Sequence, residues 1–159
     1  MRQEIIQRRN YLNNKIVSSI YFGGGTPSIL SAVEIQKFIK DISKFYLVSS
    51  SAEITIECNP DDLTKKKLLS FKKIGINRLS IGVQSFHEPD LKFMNRSHSS
   101  KDAIKSIYLA KRTGFKNITI DLIYGLPNQT VKDWENNLEI LFGLDIQHFS
   151  AYSLTVESK

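Results

Sequence analysis

Hydrophobic and polar positions follow two alternating periods along this chain. Val17 to Phe22, then 52–57, 78–83, 117–125 and 148–154, are short runs rich in β-branched and aromatic residues bounded by turn formers, and they predict strands. The segments between them carry apolar residues at helical spacing. Met1 to about Asn14 predicts a helix with Ile5, Ile6 and Leu12 near one face. Ser31 to Glu34 has the form of a capping box and introduces Val33, Ile35, Phe38, Ile39, Ile42 and Phe45. Thr64 can cap a helix through Leu68, Leu69, Phe71 and Ile74, with Gly75 as its stop. Lys101 to Arg112 predicts a helix through Ala103, Ile104, Ile107 and Leu109, stopped at Gly114, and a second capping box, Thr130 to Asp133, leads Trp134, Leu138, Leu141 and Phe142.

The predicted order is αβαβαβαβαβ. Strands separated by helices of this length run parallel through right-handed crossovers. No linker, repeat or shift of composition divides the chain, so residues 1–159 form a single domain. An open doubly wound sheet and a barrel-type arrangement both satisfy this order.

Composition narrows the classes. At 159 residues and 41% hydrophobic the chain can bury one core. No apolar run approaches a membrane span, and the charged start has no signal-peptide character. A single cysteine, Cys58, excludes an internal disulfide framework and suits a reducing cytosol, so a cytoplasmic location is expected. The net charge is +6, but the lysines are scattered except for Lys65 to Lys67, which reads as a solvated helix face. A basic module for nucleic acid or other anions, the alternative of another class, would need a clustered basic face with aromatics, and no nucleic-acid partner is expected.

In either architecture a ligand lies at the carboxyl ends of the strands. The run "SIYFGGGTPSIL" places Gly23, Gly24, Gly25, Thr26 and Pro27 at the first such end; Glu57 to Pro60, Gln84 to Phe86, and Asp121 with Tyr124 to Pro127 follow at the next three. Thr155 and Glu157 come after the last strand. The glycines match neither a P-loop, which needs a following lysine, nor a dinucleotide fingerprint. His87, His98 and His148 lack metal-ligand spacing and read as surface or packing residues, and no metal site is expected within the chain.

Six collinear stretches, "YFGGGTPS", "EITIECNPDDLT", "GINRLSIGVQSF", "MNRSHS", "IDLIYGLPNQT" and "FSAYSLTVE", resemble radical S-adenosylmethionine proteins. The branch is that of oxygen-independent coproporphyrinogen III oxidases (dehydrogenases) and the related heme chaperones. "NPDD" and "IGVQSF" resemble the chaperones; the oxidases tend to carry Asp-Pro-Arg and Gln-Asp-Phe there. The resemblance implies a partial (β/α)6 barrel with helices outside. It implies that Gly24, Gly25 and Thr26 meet the methionine end of S-adenosylmethionine and that Glu57 accepts hydrogen bonds from it. Gln84, Arg96, Asp121 and Thr155 fall at positions that line a second S-adenosylmethionine in the oxidases.

The family holds a [4Fe–4S] cluster on a Cys-x3-Cys-x2-Cys motif, which this sequence lacks. The expectation is therefore an internal piece of a longer protein, without the first strand and cluster loop and without the C-terminal domain associated with heme. Taken alone, such a piece is expected to be inactive and to assemble no cluster. Its parent would bind S-adenosylmethionine, the cluster and heme or a porphyrin, and would meet a heme acceptor protein.

Overall fold

The computed structural model describes residues 2–13 and 16–155. Six helices and five strands alternate along it: α1 (Arg2–Gln7), β1 (Val17–Phe22), α2 (Ala32–Phe45), β2 (Val48–Cys58), α3 (Lys65–Lys73), β3 (Arg78–Gln84), α4 (Glu88–Phe93), α5 (Ser100–Arg112), β4 (Asn117–Tyr124), α6 (Val131–Gly143) and β5 (His148–Ser153). The strands form one sheet in the order β1-β2-β3-β4-β5, each parallel to the next.

Residue parity divides that sheet into two faces. Ile20, Ile54, Ile56, Leu79, Ile81, Val83, Ile118, Ile120 and Leu122 belong to one buried cluster, which also takes Ile35 from α2, Leu68 and Phe71 from α3, Ala103, Ile107 and Ala110 from α5, and Leu141 from α6. The register pairs these rows across strands, as in Ile20 with Ile54, Ile56 with Leu79, and Ile81 with Ile120. The opposite rows are polar: Ser19 and Tyr21; Glu53, Thr55 and Glu57; Arg78, Ser80 and Gly82; Asn117, Thr119 and Asp121; His148, Ser150 and Tyr152. A parallel sheet covered on both faces reads as continuous apolar runs; here the helices cover one face. Sequential strand order without reversal, and helices on one side, give a curled half-barrel and not a doubly wound sheet.

The floor of the concave face is closed by charge. Arg78 Nη1 lies 2.8 Å from Glu53 Oε1, its Nη2 donates to Thr119 Oγ1 at 2.8 Å, and Asn117 Nδ2 donates to Glu53 Oε2 at 3.0 Å. Among the described residues no helix is long and apolar enough to cross a membrane.

The capping boxes form as expected at Ser31 and Thr130, and a third forms at Ser99 with Asp102. Two boundaries differ from expectation by more than a residue, and one helix is additional. The first helix stops at Gln7, and i→i−3 turns follow, Tyr11 N to Arg8 O and Asn13 N to Asn10 O. No residue of α1 is buried, and a short helix without a buried face does not sustain itself; Asn14, the expected end, lies outside the described residues. Strand β2 begins at Val48, four residues early, where it pairs with Val17. Helix α4, with Pro89 in its first turn, stands where no element was expected.

Candidate functional site

Four strand ends and the loops that leave them build one rim. After β1 the chain turns through Gly24 (φ +82°) and Gly25 (φ +61°). Both lie in the left-handed region, which a residue with a Cβ enters at a cost. A Cβ at either would meet no atom within 4 Å, so their outer side is open space. Gly23 is glycine for another reason: a Cβ there would stand 2.6 Å from the Tyr21 ring and 2.9 Å from Glu57 Oε1.

Glu57, at the end of β2, links the loop to the sheet. Its Oε2 accepts from Gly24 N at 2.9 Å and its Oε1 from Tyr21 Oη at 2.8 Å. Partial desolvation of its hydroxyl and this bond to a carboxylate push the Tyr21 phenol up to about 12, while most of the side chain stays exposed. Ser28, fully buried in the turn after the glycines, donates to Asp62 Oδ2 at 2.5 Å and accepts from Asn59 N at 3.1 Å. The glycine loop and the β2 loop are thereby tied together.

On β3, Gly82 leaves room above the sheet, and Gln84 occupies it from a left-handed backbone (φ +69°) at an irregularity of the β3–β4 register. Arg96 reaches in from beyond α4: its Nη2 donates to Asn59 Oδ1 at 2.6 Å and to Gly82 O at 3.3 Å. On β4, Asp121 accepts from Ser80 Oγ at 2.9 Å. Desolvation raises its carboxyl above the ordinary range, and the nearby Glu57 charge adds to this; Ser80, Ser150 and His148 act in the opposite direction.

These groups surround one cavity of about 130 Å³, lined by Gly25, Thr26, Glu57, Gln84, Arg96 and Asp121 together with Cys58, Asn59, Ser80 and Gly82. Of the expected residues, Gly24 borders a second, more apolar groove beneath the loop, with Tyr21, Phe22 and Leu30. Thr155 is exposed beyond the end of β5 and does not line the cavity. Tyr21, Ser80 and Gly82 were not among the expected site residues; Asn59 lies in the Glu57 to Pro60 stretch expected at the second strand end, with no ligand contact assigned to it. Ser80 and Gly82 share the parity of Gln84 on β3, and that alternation was the available signal.

The donor set can be matched to a ligand class. Two carboxylates and an open glycine loop suit a cationic or hydroxyl-bearing group, and one guanidinium suits a carboxylate. Zwitterionic nucleosides with a positive centre combine these features. Thiolate chemistry does not fit. Cys58, the chain's single cysteine, is buried, donates to Ile56 O, and has a thiol pushed up to about 12 by desolvation. No group of three or more His, Cys, Asp or Glu side chains is arranged for a metal among the described residues. The residues present therefore do not supply the ligands of an iron–sulfur cluster.

A curled parallel half-barrel with a glycine loop and a polar rim is a (β/α) ligand-binding scaffold. Residues 2–141 match the radical SAM superfamily, and the chain belongs to it. Members of that superfamily use S-adenosylmethionine and a [4Fe–4S] cluster. The chain is 40% identical over 160 residues to the heme chaperone HemW of Bacillus subtilis, covering 100% of this chain and 42% of that protein. It is 35% identical over 147 residues to heme chaperone HemW of Escherichia coli, covering 92% of this chain and 39% of that one. Coproporphyrinogen III oxidase (HemN) from Escherichia coli, a radical SAM enzyme, superposes with a TM-score of 0.86 at 31% identity over 97% of this chain and 36% of its own. The chain thus spans about two fifths of the length of the curated relatives it matches.

Proposed function

We propose that this chain is the S-adenosylmethionine-binding portion of a radical SAM heme chaperone of the HemW type, acting in the cytoplasm. The observation that carries the reading is the convergence of Gly25, Thr26, Glu57, Gln84, Arg96 and Asp121 on one cavity beside an open glycine loop. Bound S-adenosylmethionine would supply radical chemistry at a carbon on its sulfonium. The chain's own part is to bind and orient it. The glycine loop offers backbone groups close to the ligand's amino end, and Glu57 holds that loop through Gly24 N while keeping lone pairs free. Among the described residues Arg96 donates through Nη2, to Asn59 Oδ1 and Gly82 O, and its other guanidinium nitrogens can face a carboxylate. Asp121 and Gln84 can take ribose or amino hydrogens, and Thr155 is retained as a contact at the outer edge.

In this reading residues 1–159 are one domain of a radical SAM core. The cluster thiolates and the heme-carrying domain belong to the remaining length of proteins such as its relatives, and heme passes to an acceptor protein. A second reading, an oxygen-independent coproporphyrinogen III oxidase, is supported by the 0.86 superposition on HemN. Asn59 and the fully buried Ser85 stand where the oxidases tend to carry aspartates, and this favours the chaperone.

Titration with S-adenosylmethionine by calorimetry or ligand-observed NMR tests the site. A few hydrogen bonds of about 1 kcal/mol each, less the cost of immobilising the ligand, give a dissociation constant on the order of a millimolar or weaker. Gly24→Val should abolish binding, because valine resists the left-handed backbone and fills the open side of the loop. Asp121→Asn should weaken it less, since one acceptor oxygen remains. Equal binding by all three proteins would overturn the assignment.

A further inference from the structure

Gln84 is the one expected site residue whose own backbone is strained. A non-glycine residue at φ +69° persists where its surroundings over-determine it. The register shift between Gly82 and Gln84 leaves Val83 out of the regular ladder. Its carbonyl is nevertheless doubly bonded: it accepts from Ser85 N at 2.9 Å and from His98 Nε2 at 3.0 Å. His98 is 3% exposed, and its Nδ1 has no partner among the described residues. A side chain that merely filled this space would be apolar. An imidazole that leaves one nitrogen unpaired in the interior is kept for the bond made by the other.

The far side of the bulge is fixed as firmly. Asn137 of α6, 1% exposed, accepts from Phe86 N at 2.5 Å and donates to Ser85 Oγ at 3.1 Å. Ser85 Oγ bonds Asp90 Oδ2 at 2.8 Å, and Gln129 joins that carboxylate at 2.9 Å while accepting from Gly125 N at 3.0 Å. The loops after β3 and β4 are thus clasped together behind the cavity.

We infer that His98 and Asn137 are positioning residues for the ligand, acting through Gln84: from outside the cavity they hold the Val83 bulge that aims Gln84 into it. The inference rests on the reading of the cavity as an S-adenosylmethionine site. Neither residue lines the cavity; His98 meets the bulge at the Val83 carbonyl and Asn137 meets it at Ser85 and Phe86.

A double-mutant cycle on the full chain, with S-adenosylmethionine as the probe, separates the possibilities. Gln84→Ala should weaken binding about five- to tenfold, the effect of losing one or two hydrogen bonds. His98→Phe should weaken it by a similar factor. In the Gln84→Ala background, His98→Phe should cause less than about a twofold further loss, because the group through which it acts is gone. His98→Gln, which keeps an amide donor, should recover most of the affinity. The amide resonances of Val83 and Gln84 should shift in ligand-free His98→Phe and in Asn137→Asp, whose lost amide donor loosens the same clasp. Factors that multiply, or unmoved Val83 and Gln84 resonances, would overturn the inference and leave the site reading intact. An unchanged affinity in Gln84→Ala alone would overturn both.

Discussion

Replacing Gln84 by glycine should make the protein more stable than replacing it by alanine, although glycine is ordinarily the weaker residue inside a strand. At φ +69° the native glutamine sits in the left-handed region, where an L side chain costs on the order of 1–2 kcal/mol. Alanine keeps that cost and forfeits the side chain's contacts. Glycine removes it, against about 0.5–1 kcal/mol of extra unfolded-chain entropy. The difference between the two variants should be about 1 kcal/mol in favour of glycine. For a chain of this size that corresponds to roughly 2–4 °C in midpoint temperature. Thermal unfolding followed by circular dichroism measures it, and S-adenosylmethionine titration of the same samples should show both variants equally weakened. An alanine variant as stable as the glycine variant would mean that the bulge relaxes when the side chain is removed. The claim that its surroundings impose the conformation would then be wrong.

Gly82→Ala should change the midpoint little, because its backbone is extended, but its Cβ would stand 2.8 Å from Gln84 Nε2 and 3.9 Å from Arg96 Nη2; S-adenosylmethionine affinity should fall while the melting curve stays in place. Asp121→Asn should be more stable than the parent at neutral pH. Its carboxyl is raised, so the folded state holds the proton more tightly than the unfolded one, and the parent loses stability as pH climbs through that raised value; the gap should close on acidification to below the ordinary 3.8, and a gap independent of pH would contradict this. Glu53→Gln has the opposite sign: the Arg78 hydrogen bond lowers the Glu53 carboxyl below its ordinary 4.5, so the parent's advantage, no more than about 1 kcal/mol for so exposed a pair, should be present at neutral pH and vanish as pH falls through the lowered value in urea titrations.

Features set by neighbours in sequence are legible in the chain, and those set by distant contacts are not. Capping boxes are local, and α2 and α6 begin one residue after Ser31 and Thr130. Alternation is local too, and it places all five strands. Because parallel strands end on one rim, the polar residues after four of them converge, as Glu57, Gln84 and Asp121 do. Thr155 does not follow them, since β5 is an edge strand and Thr155 is exposed. The first helix has the right spacing in Ile5, Ile6 and Leu12 but no buried partner, and spacing alone does not show that. The bulge is hidden for the same reason. His98 and Val83 are 15 residues apart, Phe86 and Asn137 are 51 apart, and nothing in the Ile81 to Ser85 stretch announces that its ladder will slip.

Two residue parities on the same five strands separate the fold's tolerance of change into two regimes. Truncating Ile56, Ile81 or Ile120 would cost roughly 2–5 kcal/mol each, a large part of the 5–15 kcal/mol that holds a typical domain together. Ser19, Tyr21, His148 and Tyr152, on the other parity, are exposed on the concave face and hold no core. A library randomised at those four positions would vary what the half-barrel recognises while most of its members still fold. The same diversity at Ile20, Ile56, Ile81 and Ile120, on the buried parity of β1 to β4, would yield mainly unfolded chains.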